Sequence, residues 1–526
     1  MKRPRWRKRE TPTVRFYPND PDAPVGLESV PPAVPDPAGP SFTIEGKRYA
    51  PAPYDPGTLE FQYWQGEVAL ARTIRVWEDL FDRDFTRWHE DRPLLVKLRA
   101  GKDLNAFYDR KSLQFFYDVD TKTGRTVYAA ESLDIVAHET GHAVLDCYQP
   151  GFWSTPDLET AAFHEAFADC SALLVTLTDT AVCRALLEEA KGSWDKSNQV
   201  SRLAEALGRA IYDNYGPGAV SDPTRLRDAR NEFRYAGPES LPSEADDASL
   251  ASEPHSFSRV FTGIFYDALV LALARAIRDT PGPEGIERAG GLLGRTLARA
   301  IEKLPPGHAR YADIAALMRS ADQTEEGGVA TPAIEAACLR HGIKLPALAA
   351  AKARAAKSPL LALDPERPGG LQAMRAALHL PPHAALKRRT TPLRTRRGWR
   401  EQYFHVDEYV IRSRSLGSLD GIVVRIPCGC TIVRATSGEI QNLTLAPHPH
   451  PGPRDMLRSL KPWVRRGAIH PVRGARGTSR DFFRERTPFR LTADGLLTRV
   501  YFDESATPSP RASRPAPRSP SPRAAS

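Results

Sequence analysis

Apolar residues recur at helical spacing from Gly57 onward, through Val68, Leu70, Ile74, Val76, Trp77 and Leu80, which predicts a helix with one buried face. Short apolar runs such as Leu94 to Leu98 predict strands. Leu133-Asp-Ile-Val-Ala and, ten residues on, Ala143-Val-Leu predict the apolar face of a buried helix, with Ser132 placed to cap it. Beyond about Pro346 an Ala-rich helical stretch leads into the basic runs Lys387-Arg-Arg and Arg394-Thr-Arg-Arg-Gly-Trp-Arg400. Alternating or β-branched runs follow at Tyr409-Val-Ile, Gly421-Ile-Val-Val-Arg-Ile, Cys430-Thr-Ile-Val and from Phe489 to Phe502, separated by turn residues. They predict a small strand-rich domain.

Residues 18 to 56 lack any apolar period, and their prolines oppose both helix and ladder pairing. The predicted organisation is a disordered or draped Pro-rich arm over 1–56, a globular domain over 57–346, a helical and basic linker over 347–400, a β-rich domain over 401–505, and a disordered tail of Ser-Pro-Arg repeats over 506–526. A length of 526 residues suits two or three domains and leaves room for a large buried site. No internal repeat of solenoid period is present.

Composition adds exclusions. Apolar residues are 41% and charged residues 26%, ordinary soluble usage, and no stretch approaches the roughly 20 uninterrupted apolar residues of a membrane span. The basic start is followed by Glu10, Thr11 and Pro12 where an export signal needs apolar residues. Six cysteines do not make a disulfide framework in so long a chain, so a reducing, cytoplasmic setting is expected, with export by another route left open. Much of the formal net charge of +9 sits in the ends and the linker. Solvated tails and a solvated connector are expected there rather than a nucleic-acid surface, although Lys387 to Arg400 with Trp399 has the residue types for one.

His138-Glu139-Thr-Gly-His142 has the HExxH form. Residues i and i+4 lie one turn apart on one helix face, so both imidazoles can reach one zinc ion, with Glu139 beside the open position as general base for a water activated by the metal. The bland alternative is surface polarity on a helix. A second helix weighs against it: Glu165 and Asp169, also i and i+4, lie in a run of Ala, Phe and Leu that otherwise reads as core. Two carboxylates there need partners, and a metal and a metal-bound imidazole are such partners. Glu165 is read as the third ligand and Asp169 as the acceptor for the other ring N–H of a ligand histidine, His142 by preference. His164 competes for the ligand role but points about 100° away around the helix from Glu165.

These residues resemble the thermolysin family of zinc metallopeptidases, and the resemblance extends to Asn105-Ala106-Phe107-Tyr108, to Asp134-Ile-Val, and to His164-Glu165-Ala-Phe-Ala-Asp169. It covers roughly Gly57 to Pro346. It implies an α+β, two-lobed metallopeptidase domain, a mixed N-terminal lobe and a helical C-terminal lobe, followed by the small strand-rich domain. It implies hydrolysis of a peptide or protein substrate by an endopeptidase, with Asn105 and the Ala106 carbonyl binding the substrate backbone. Leu226-Arg227-Asp228 is similar to the family's Leu-Arg-Ser, whose arginine holds a substrate carbonyl, with Arg225 and Arg230 close by. The stretch from Glu253 to Gly263 is similar to the segment bearing the oxyanion-stabilising histidine; His255 is preferred for that role and Arg259 is the alternative.

The chain is expected to depart from the family in three respects: too little ordered sequence lies ahead of Gly57 for the usual propeptide, most calcium-binding carboxylates are missing, and the tyrosine at the oxyanion has no clear counterpart between Tyr148 and Trp153. A zinc-binding scaffold or peptide-binding protein on a peptidase fold is therefore the rival expectation. Cys428-Gly-Cys430 with His448-Pro-His450 could form a second zinc site by ligand type, or a tight turn and a Pro-rich loop.

Overall fold

A computed structural model describes residues 12–33, 41–85, 88–89, 93–153, 155–194, 196–307, 309–346, 360–381, 384–389, 393–446, 452–471 and 487–503. The fold is mixed α+β. Its first departure from expectation is the Pro-rich arm, part of which is ordered. Strand β1 (Val14–Phe16) pairs antiparallel with β2 (Glu28–Val30), and Val14 and Phe16 are fully buried. Tyr17 donates its N–H to Gln65, and the Asn19 amide donates to the Gln199 carbonyl. Two apolar side chains on one side of three residues suffice to anchor the strand, but they are too few to show as a period in the sequence.

The arm ends in β3 (Phe42–Ile44), which pairs in parallel with β4 (Leu94–Lys97). β4 pairs in parallel with β6 (Ser112–Phe115), and β6 pairs antiparallel with β5 (Ala106–Tyr108). A hairpin of β7 (Tyr117–Val119) and β8 (Thr126–Tyr128) follows. Between β3 and β4 runs α1 (Leu59–Phe81), started by the Thr58 hydroxyl accepting the Phe61 N–H.

The centre of the molecule is the pair α2 (Leu133–Tyr148) and α3 (Leu158–Thr176), every residue of which is buried. Their Ala-, Leu- and Phe-rich sides leave no solvent face, the pattern of an internal helix. Gly141 lets them close: a Cβ there would fall 2.5 Å from Ser171 Oγ and 3.0 Å from the Ala168 Cα. Ser132 stands at the N-cap of α2, yet its hydroxyl donates to Asp134 rather than capping the backbone. Asp134 in turn accepts the Ala204 N–H at 2.6 Å, which ties α2 to a neighbouring turn.

Around this pair lie α4 (Thr180–Ala190), α5 (Glu205–Tyr215), the two-residue strands β9 (Arg202–Leu203) and β10 (Arg227–Asp228), and then α6 (Pro254–Asp279), α7 (Pro283–Lys303), α8 (Tyr311–Glu325) and α9 (Thr331–Arg340). α6 is long and apolar enough to cross a membrane by length and composition, but 67% of its apolar window is buried inside the fold.

The expected basic linker is a second correction. β11 (Lys387–Arg388) and β12 (Leu393–Thr395) both pair with β13 (Gly398–Ile411), which forms a long antiparallel ladder with β14 (Ile422–Ala435), itself paired with β15 (Ile440–Leu445). Arg388 pairs with Glu401, and the buried Arg400 guanidinium donates to the Tyr148 and Glu302 carbonyls at 2.7 and 2.8 Å. Arg400 thus satisfies main-chain oxygens of α2 and α7 instead of lying in solvent, because the guanidinium can serve several carbonyls at once. One face of this sheet packs Ile411, Ile422 and Val424 against the helix Pro453–Arg465 and against Leu158 and Ala161 of α3. A further small sheet has β16 (Ile469–His470), β17 (Phe489–Leu491) and β18 (Leu497–Arg499). The chain then crosses back to the first sheet, where β19 (Phe502–Asp503) pairs antiparallel with β5.

Cys428 and Cys430 lie within β14 and not at a turn. They are buried thiols, pushed up to about 12 by burial, in an apolar cluster with Met374 and Tyr403. His448 and His450, their suggested partners, lie outside the described residues.

Candidate metal centre

α2 presents His138 and His142 one turn apart, and α3 brings Glu165 against both. Glu165 Oε2 lies 3.5 Å from His138 Nε2 and 3.6 Å from His142 Nε2. Those separations are long for N–H···O bonds. They match the edge of about 3.3 Å expected between two ligands of a tetrahedral zinc with bonds of ~2.0–2.1 Å. Glu139 is fully buried, and its carboxylate falls within 4.8 Å of the ligand atoms of His138 and His142. The donor set of two imidazoles and a carboxylate, with a further carboxylate at the edge, fits a zinc ion with an open position.

The partners on the far side of each ring set the tautomers. Asp169 Oδ1 lies 3.1 Å from His138 Nδ1, so it serves His138 and not His142 as the sequence suggested. His142 is served instead by His164, whose Nδ1 lies 2.7 Å from His142 Nδ1. The reason is the crossing of α2 and α3: one turn of α3 separates Glu165 from Asp169, which carries Asp169 past His142 to the earlier histidine. With Nδ1 of each ring carrying the proton toward Asp169 or His164, Nε2 would carry the lone pair facing Glu165 and free for a metal. His164 is held neutral, because burial and the adjacent His142 ring push its pKa well below the ordinary histidine value. His164 therefore stands beside His142 as a neutral hydrogen-bonding partner, on the side away from Glu165.

Asp169 also accepts the Thr262 hydroxyl at 2.9 Å and the Arg227 guanidinium at 3.0 Å. Burial opposes its charge, but Arg227 and the His138 contact outweigh it and hold its pKa below the usual carboxylate value. Arg227 comes within 3.3 Å of His138 Nδ1. Arg225 and Arg230 pair elsewhere, with Asp222 and Glu232, so of the three arginines it is Arg227 that adjoins the centre.

His255, the second residue of α6, places Nε2 3.2 Å from Glu165 Oε2 and Nδ1 3.0 Å from Glu253 Oε1. Glu253 holds this position by accepting the Ser256 N–H as the helix cap. Burial disfavours the imidazolium, but Glu165 and Glu253 outweigh it and raise the His255 pKa to about 9. The same imidazoles hold the buried Glu165 well below the ordinary carboxylate value. Arg259 does not reach the centre; its guanidinium is spent on the Asp247 and Ser249 carbonyls and the Ser256 hydroxyl, and it stacks 4.1 Å over Phe233.

Asn105 is buried and leads into Ala106 and β5, the strand that packs along α2. The sequence motifs that mark the site do not single out Thr262, His164 as a hydrogen-bonding partner, or Phe502. Thr262 follows His255 by two helical turns and so shares its face of α6, a signal available in the spacing. Nothing local points to Phe502. No protein-family model matches the chain, and no curated protein matches it either.

Proposed function

We propose that the chain is a zinc-dependent peptidase of the thermolysin-like kind, in which His138, His142 and Glu165 hold the metal and peptide bonds are cleaved within a chain. The observation that carries this reading is the approach of two ring nitrogens to one carboxylate oxygen at 3.5 and 3.6 Å, with Glu139 alongside. A zinc ion bound there supplies Lewis acidity toward a carbonyl and lowers the pKa of water in the open position. Glu139, buried beside the two imidazoles, would be the base that takes a proton from the attacking water and returns it to the leaving amine. His255, its Nδ1 held by Glu253, would donate from Nε2 to the oxygen on which negative charge develops. Arg227 braces Asp169, which orients His138, and Arg227 is the candidate for holding a substrate carbonyl.

The deciding experiment measures zinc content and digestion of a peptide library by wild type and Glu139→Gln. Retained metal with loss of nearly all hydrolysis supports the reading. A chain that binds zinc and cleaves nothing, even with β19 removed from the edge of β5, would favour the scaffold alternative.

A further inference from the structure

Without β19 the sheet of β3, β4, β6 and β5 would end at β5, leaving the N–H and C=O groups of Ala106 and Tyr108 on an open edge beside the candidate metal centre. Such an edge is a template for an extended peptide. It is occupied by the chain's own far end: Phe502 pairs antiparallel with Tyr108 and Asp503 with Phe107. The Phe502 side chain is 1% exposed. Its ring stacks on His142 at 4.8 Å and 14° and on His164 at 4.1 Å and 23°, and meets Trp153 edge-on at 4.8 Å. The Arg499 guanidinium covers it at 4.2 Å. Two anchors hold the approach: Tyr501 packs on Phe107 at 5.1 Å, and the Arg499 carbonyl accepts the Trp153 indole N–H at 3.0 Å.

We propose that Val500 to Asp503 is an intramolecular occupant of the substrate groove, added to β5 as a strand with Phe502 against His142, and that the chain in this form is autoinhibited. The proposal rests on the peptidase reading of the site. A segment tethered in cis has an effective concentration on the order of mM, at or above ordinary working substrate levels, so a short contact suffices to exclude substrate. The closure is also releasable. Only two residues pair with β5, and Nε and Nη2 of the buried Arg499 make no hydrogen bond among the described residues, a cost that opening the segment to water removes.

The test uses the zinc-loaded full chain and, as probe, a fluorescent synthetic peptide of the segment's own sequence, Leu497 to Asp503. Binding is read by anisotropy in the Glu139→Gln background, which separates occupancy from turnover. The probe should bind at least 10-fold more tightly when Phe502→Ala is added, and Phe502→Ala with Glu139 intact should digest a peptide library at least 10-fold faster than wild type. Phe502→Leu, which keeps apolar packing and loses the ring stack, should give a smaller rise in both and serves if the alanine variant melts early. Equal probe binding with and without the substitution, or wild-type digestion as fast as the variants', overturns the proposal and leaves the peptidase reading standing. Tighter probe binding with no hydrolysis by any variant upholds the occupancy and overturns the peptidase reading instead.

Discussion

Gly141 faces Ser171 where α2 crosses α3, so closely that a methyl group on Gly141 would sit 2.5 Å from the serine hydroxyl oxygen. This contact sets how near Glu165 comes to His138 and His142. Gly141→Ala should therefore force the helices apart, lower stability by about 1–3 kcal/mol as overpacking does, and weaken metal retention. Thermal melts and zinc content after dialysis check both effects; a variant that melts normally and keeps its zinc would show that the crossing tolerates the methyl.

Asp169 orients His138, and losing such a partner typically weakens a metal site about 10–100-fold. Asp169→Asn keeps the shape but removes the charge that pairs with Arg227. It is expected to release zinc to a chelator at correspondingly lower concentration, with Glu165→Gln as the more severe comparison. Competition with a metallochromic indicator gives the affinities directly. An unchanged affinity would mean that the 3.1 Å contact to His138 is incidental.

His255 and Arg259 differ in what they touch, and their variants should differ in what they lose. His255→Ala should lower turnover by about 100-fold or more, the order for one oxyanion donor, while zinc stays bound. Arg259→Ala releases the Asp247 and Ser249 carbonyls and should lower stability by about 2 kcal/mol, seen as an earlier melt. If the arginine variant is the one that loses turnover with stability intact, the roles are reversed.

Glu159 supplies a pH test away from the metal. Burial first, and Asp157 second, raise its pKa to about 7, against the Tyr311 N–H and Tyr235 O–H that favour the carboxylate. Because the folded value lies above the unfolded one, its contribution to stability is fully present below about pH 4.5 and is lost as pH rises through 7. The shift corresponds to roughly 3 kcal/mol. Glu159→Gln mimics the protonated form, so its melting temperature relative to wild type should rise between pH 5 and pH 8. A difference independent of pH would place the Glu159 pKa at its ordinary value.

The heart of the candidate site was legible in the sequence because helical spacing is local. Four residues of separation place His138 and His142 on one face, and again Glu165 and Asp169, whatever the rest of the chain does. The strands of the C-terminal part were legible for the same reason, from alternation at Tyr409 to Ile411 and Ile422 to Ile426. What tertiary structure alone decided are the relations between elements distant in the chain. The crossing of α2 and α3 assigned Asp169 to His138 and His164 to His142, contrary to the simpler guess, and the turn entering α6 placed His255, and not Arg259, against Glu165. Lys387 to Arg400 read as a charged connector, since charge density carries no record of carbonyls elsewhere that need donors. Phe502 and Asp503 are unremarkable as a strand end. A period of two says which side chains share a face but not which open edge they will close, so their place on β5 beside the metal centre follows only from the path of the whole chain.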